Sequence, residues 1–137
     1  MLTLSSFAWG KARHHLIFVH GIGGNAQTFG SMPEALSLHL AQKNPNTQYT
    51  SQLFVYATGN PDYDTDDFAM QFSRFLKTVL GEMGPDDKFS LITHSQGGLV
   101  ATIWLFHAYL GRDGFFPEYV KHVDSIVTLG TPFWGSK

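Results

Sequence analysis

Three short turns in this sequence carry residues that could act together chemically. The first is Thr93-His94-Ser95-Gln96-Gly97-Gly98, set between an apolar run at 89–93 and an apolar stretch that opens at Gln96. A serine at the apex of a sharp strand-to-helix turn is lifted clear of the sheet, provided that small residues beside it let the turn close. Gly97 and Gly98 supply them on the helix side. The first helical N–H groups then point at whatever lies over the hydroxyl, which suits a negative charge developing there. Such a serine offers nucleophilic attack on a carbonyl through a covalent acyl intermediate. The second turn, His20-Gly21-Ile22-Gly23-Gly24-Asn25, follows the run Leu16-Ile17-Phe18-Val19. The third, Gly130-Thr131-Pro132-Phe133-Trp134, follows Ser125-Ile126-Val127-Thr128-Leu129.

The elements that must position these turns read as follows. The continuous apolar run at 16–19, with its β-branched members, suits a strand buried on both faces. Further strands are expected at 52–56, 89–93 and 125–129. Phe68, Phe72, Phe75, Leu76, Val79, Leu80 and Met83 recur at helical spacing, marking an amphipathic helix. Thr65 or Asp66 could cap it, and Gly81 with Gly84-Pro85 ends it. An earlier helix, capped by Thr28 or Ser31, has Pro33 and Glu34 in its first turn and Ala35, Leu36 and Leu40 on one face. Asn44-Pro45-Asn46 stops it. From 96 to 110 the chain is apolar nearly all round, as in a helix buried at the centre of its domain. This alternation predicts an α/β fold, a parallel sheet with helices on both faces joined by right-handed crossovers. All three turns then fall beyond the carboxyl ends of strands, where such sheets gather functional groups.

The pattern around Ser95 is similar to the G-x-S-x-G nucleophile elbow of the α/β-hydrolase fold serine hydrolases, the lipase and esterase branch in particular, with Thr93 in place of the first glycine. His20-Gly21-Ile22 resembles the His-Gly-x segment of lipases. The resemblance implies that the backbone N–H groups of Ile22 and Gln96 form an oxyanion hole, with His20, Gly21, His94 and Gly97 shaping the site. Thr128-Leu129-Gly130-Thr131-Pro132 with Gly135-Ser136 resembles the Gly-Thr-Pro-His-x-Gly-Ser segment of many lipases, and Phe133 stands at the usual His. Thr131 and Pro132 would border the site. Phe133 and Trp134 would give either an apolar wall for an acyl chain or exposed ends of a cut domain. The likeness covers about residues 15–136, and the four strands would correspond to strands three to six of the family fold. It implies hydrolysis of a lipid or other acyl ester, with no cofactor and no metal. Thioesterase, amidase or acyltransferase chemistry would look the same at this level.

A serine hydroxyl needs a base and an acid that orients it, which this family supplies in the chain order Ser, Asp or Glu, His. After Ser95 the sequence offers Asp113, Glu118, Asp124, His107 and His122. His107 falls inside the apolar helix, Asp113 beyond its far end, and Glu118, His122 and Asp124 before the fourth strand, at the wrong end of the sheet. His20 and His94 lie on the right edge, but the resemblance gives His20 a loop-shaping role, and His94 would turn away and pack against neighbouring loops. The expectation is a loose lead-in over 1–13 and a hydrolase core over 14–137 that is incomplete at its C-terminal end. Two strand–helix units, roughly 60 residues at about 30 each, would complete it. A C-terminal segment or a second chain would then bring the Asp and the His. The alternative is a truncated or degenerate hydrolase-like domain without catalysis.

Composition excludes other classes. At 137 residues the chain holds one domain, and 43% apolar residues with twelve phenylalanines give it a bulky core. A net charge of −2 leaves no electrostatic footprint for nucleic acid or an anionic membrane. The absence of cysteine excludes disulfides and thiolate metal sites. The acidic stretch at 62–67 lacks EF-hand spacing, and reads as a solvated loop with a helix cap. A nucleotide-binding domain is a third reading, but Gly21-Ile22-Gly23-Gly24 misses G-x-G-x-x-G at Ala26, and no Walker Lys-Ser/Thr follows. No apolar run reaches the roughly 18 residues of a membrane span. The first residues lack a signal peptide's basic start and apolar stretch, so the cytoplasm is the default expectation.

Overall fold

Leu16, Ile17, Phe18 and Val19 are almost wholly buried because their strand lies inside the sheet and is covered on both faces. The computed structural model, which describes residues 10–135, has four strands in one wholly parallel sheet. They are β1 (Ala12–Val19), β2 (Thr47–Phe54), β3 (Lys88–His94) and β4 (Val123–Leu129), in the order β2-β1-β3-β4. Helices α1 (Met32–Lys43), α2 (Thr65–Leu80) and α3 (Gln96–Tyr109) alternate with them, and a short 3-10 helix, Pro117–His122, leads into β4. The expected α/β class is the observed one.

Alternating side chains build two cores. On one face Leu16, Phe18 and Ile92 meet Phe29, with Leu36 and Leu40 of α1 packed over them. On the other, Ile17, Val19 and Leu91 join Phe68, Phe72 and Leu76 of α2 and Val100 and Trp104 of α3. Each fully buried side chain such as Phe72 stabilises by roughly 1.5–3 kcal/mol. No residue of α1 is buried to that degree, so α1 is the more weakly held helix. The chain passes from β1 to β2 over the first face and from β2 to β3 over the second. The connections after the neighbours β1 and β3 therefore diverge to opposite faces. Such a divergence at the carboxyl ends is where open α/β sheets place their ligands.

Several boundaries differ from the sequence expectation. Ala12 and Arg13, read as the end of a loose lead-in, belong to β1. The Arg13 N–H donates to Asp87 Oδ1 at 2.8 Å, and its guanidinium meets Asp87 Oδ2 at 2.7 Å. Residues 1–9 of that lead-in, and Ser136 of the last turn, lie outside the described residues. β2 occupies Thr47–Phe54, not 52–56, because it pairs with β1 along its whole length. Val55 is exposed, and Tyr56 leaves the strand to stack on His20. The cap of α2 is Asp64, neither Thr65 nor Asp66, in a reciprocal box with Asp67. Thr28 accepts the Asn25 N–H, leaving Ser31 at the start of α1. The expectation that α3 is buried all round fails. Phe106 is 55% and Tyr109 74% exposed, since among the described residues nothing covers that side.

Candidate active site

β3 ends at His94 and α3 begins at Gln96, so Ser95 alone makes the turn. Its φ of 52° makes it the one non-glycine with positive φ among the described residues. Such a conformation costs on the order of 1–3 kcal/mol and persists only where surrounding contacts impose it. Here the Ser95 N–H donates to Leu129 O at 2.9 Å, and Ser95 O accepts from the Gly98 N–H at 3.1 Å. A Cβ on Gly97 would overlap the Val19 carbonyl and approach His20 O to 2.7 Å, and one on Gly98 would overlap Thr131 Oγ1. Both glycines thus let α3 start wedged between the ends of β1 and β4. Thr93, in the place of the usual first glycine, is buried and donates its hydroxyl to Val127 O at 3.0 Å. The departure from the pattern is absorbed by β4.

Gly21 lies directly against the serine. A Cβ there would come to 2.6 Å from Ser95 Cβ and 3.2 Å from Oγ. His20 is wholly buried, with Nδ1 2.9 Å from Gly21 O and Nε2 accepting the Tyr56 N–H at 3.3 Å. The Tyr56 hydroxyl donates to His20 O at 2.7 Å, and Thr58 Oγ1 accepts the Gly23 N–H at 2.8 Å. Tyr56 and Thr58, on the connection after β2, support the glycine turn and carry no local sequence signal.

Ile22 is exposed at the tip of that turn, and among the described residues neither its N–H nor that of Gln96 meets an acceptor. Thr131 and Pro132 are half-buried, with Thr131 beside Gly98, while Phe133 is 50% exposed and Trp134 fully so. The Gln96 Oε1 and Thr131 Oγ1 atoms are buried without a hydrogen-bond partner among the described residues. His94 is exposed, which corrects the expectation that it packs against loops. Ser95 is half-buried at the open carboxyl edge. Two grooves of about 660 and 850 Å³ lie elsewhere: one runs along the sheet face beside α1, past Leu36, Leu40, Ser90 and Val127, and the other lies at the amino end of the sheet around Gly81, Asp87 and Tyr119.

No hydrogen bond joins Ser95 Oγ to an imidazole or carboxylate among the described residues. His107 Nε2 donates to Asp66 at 2.9 Å while Arg112 donates to its Nδ1. His122 Nδ1 donates to Asp87 O, Glu118 pairs with Lys77, and Asp124 with Lys88. Asp113 is exposed in the turn beyond α3. In the acidic stretch Asp64 and Asp67 are taken up by the helix cap. No helix among the described residues is long and apolar enough to cross a membrane.

A parallel four-stranded sheet with its order reversing at β1 and β3, and a serine on the turn after β3, defines an α/β-hydrolase-like core. Residues 10–137 match the family described as "Putative serine esterase (DUF676)", and the chain belongs to that family. None of the curated proteins compared with it matches. Among solved structures it is similar to the phospholipase PlaB from Legionella pneumophila, at TM-score 0.66 and 22% identity. A second structure of PlaB, in complex with thio-NAD, gives 0.65 and 21%. Each alignment covers 86% of this chain and 25% of the phospholipase. An acetylxylan esterase aligns at TM-score 0.60 and 14% identity, over 89% of this chain and 64% of the esterase. The chain thus spans about a quarter of the first and under two thirds of the second.

Proposed function

We propose that this chain carries the nucleophile of a serine esterase. Ser95 Oγ attacks the carbonyl carbon of a carboxylic ester, and the carbonyl oxygen becomes an oxyanion received by the N–H groups of Ile22 and Gln96. A base takes the serine proton and returns it to the departing alcohol. Water, deprotonated by the same base, then cleaves the acyl-enzyme and regenerates Ser95. The observation that carries this reading is the strained backbone of Ser95 with Gly21 pressed against it. Strain of this kind collects at functional sites. The base and its acid come from a segment beyond residue 137 or from a second chain, since every later His and carboxylate but Asp113 is bonded away from the serine. The substrate is an acyl or lipid ester. The neighbours are by name a phospholipase and an acetylxylan esterase, and the exposed Phe133 and Trp134 favour an acyl chain.

One observation favours a second reading, a hydrolase-like domain without catalysis: Ser95 Oγ has no imidazole partner among the described residues. A fluorophosphonate probe followed by intact mass separates the two. A single adduct that disappears in Ser95→Ala is expected once a base is in place. No adduct on folded chain, alone or with a C-terminal extension, would support the non-catalytic reading. An adduct that survives Ser95→Ala would overturn the choice of nucleophile.

A further inference from the structure

We infer that His20 and Tyr56 are positioning residues for the oxyanion donor: the Tyr56 N–H fixes the single ring proton of His20 on Nδ1, and that proton holds the Gly21 carbonyl so that the Ile22 N–H faces the serine. The inference rests on reading the Ile22 N–H as that donor. Both ring nitrogens of His20 are engaged inside a site with no exposure to water, Nε2 by an N–H donor and Nδ1 by a carbonyl oxygen. A neutral imidazole protonated on Nδ1 satisfies both contacts. The other tautomer sets N–H against N–H at Tyr56 and lone pair against lone pair at Gly21.

The ring is gripped from every side. The Tyr56 ring stacks on it with centroids 4.6 Å apart and planes 15° apart, and the Tyr56 hydroxyl anchors the His20 carbonyl at 2.7 Å. Burial holds the phenol well above its ordinary range, so it remains a donor. A Cβ on Gly24 would come to 2.7 Å from His20 Nδ1, so a glycine is needed there for the ring to reach Gly21 O. The Gly24 N–H also donates to Gly21 O at 3.0 Å, closing a turn with φ 71° at Gly23, as a type II turn requires at its third residue. Two donors therefore pin one carbonyl. Because the peptide unit is planar and trans, a fixed Gly21 C=O fixes the Ile22 N–H in the opposite direction.

Nitrogen NMR of the full chain tests this without requiring turnover. At neutral pH the His20 ring is expected to carry its proton on Nδ1 and none on Nε2. Two variants separate this from simple packing. In His20→Asn the side-chain amide can donate where Nδ1–H does, and the Ile22 amide order parameter is expected to match the unaltered chain. In His20→Ala it is expected to fall from about 0.85 to below about 0.6. A proton on Nε2, an Ile22 amide equally ordered in His20→Ala, or one mobile in both variants would overturn the relay. If His20→Ala does not fold, the ring tautomer and the asparagine variant decide. Fluorophosphonate labelling scores the esterase reading by itself, so a chain that fails to label still reports on His20.

Discussion

The two ends of the sheet are held by different means. At the carboxyl end the restraints are main-chain groups, glycines and neutral buried side chains: the Ser95 N–H on Leu129 O, the Tyr56 hydroxyl on His20 O, and approaches at Gly21 and Gly97 that leave no room for a side chain. At the amino end they are charges and side-chain pairs. Asp87 receives Arg13 through its main chain and guanidinium and also takes the Gly84 N–H, while Arg13 reaches on to Glu82 O. Ser125 donates to Ser90 Oγ at 3.0 Å, which lies 2.8 Å from His14 Nε2. The groups that tie the carboxyl end do so from behind the turn, and among the described residues they leave the Ile22 and Gln96 N–H groups without an acceptor.

Gly97→Ala should break the comparison most sharply. Its Cβ would meet the main chain of Val19 and His20, and neither has a flexible end that could yield. A loss of about 3 kcal/mol is expected in urea unfolding, at the upper end for overpacking. Gly81, with φ 57° and open space around it, is the control at the other end, where Ala should cost about 1 kcal/mol for its positive φ alone. Equal losses would mean that α3 can slide back, and that the wedge at the serine is ordinary packing. Asp87→Ala comes next. It leaves the Gly84 N–H and the Arg13 donors without their acceptor, but Arg13 is 41% exposed and regains water. About 2 kcal/mol is expected, with the Ile22 and Ser95 amide resonances unmoved. Shifts at those amides would show that the two ends are coupled.

Ser95→Gly should act in the opposite direction. Glycine relieves the positive φ, worth on the order of 1–3 kcal/mol, and loses roughly 0.5–1 kcal/mol to the greater freedom of the unfolded chain. A net gain of about 1 kcal/mol in unfolding free energy is expected, with all chemistry at this position lost. A loss instead would mean that the hydroxyl holds the turn together, and that Ser95 serves the fold before any reaction.

What the sequence disclosed and what it hid follows the same division. The run Leu16 to Val19 and the helical spacing of Phe68, Phe72 and Leu76 are local patterns, and each marked a buried element. The glycine turns at 20–24 and 97–98 were legible because close main-chain approach admits few residue types. Tyr56 was not, since its partner is 36 positions away and meets it only because β2 lies beside β1. Asp87 was hidden similarly, its arginine lying 74 positions distant. Composition could not show which side of α3 is covered, because Trp104 and Phe106 look alike in sequence, yet one is buried and the other exposed.

The smallest expected effect is an acid response confined to the amino end. Burial lowers the affinity of His14 and His15 for a proton; Asp124 partly offsets this at His14, while at His15 Arg13 adds to it and Asp87 partly offsets it. A histidine whose folded-state pKa lies below its unfolded value leaves the unfolded chain binding more protons, so stability falls as pH drops below about 6.5. Asp87 adds a second window. Burial raises its carboxyl, but the Arg13 and Gly84 hydrogen bonds outweigh burial and hold it below the ordinary carboxylate value. Its contribution is therefore complete above about pH 4 and disappears as pH falls through the lowered folded value. Urea unfolding between pH 8 and 3 should show both limbs, and Asp87→Asn should flatten the lower one while deepening the upper one, since it removes a charge that favours protonated His15. If the upper limb vanished with it, the acid response of the histidines would depend on the Asp87 charge and not on their own burial.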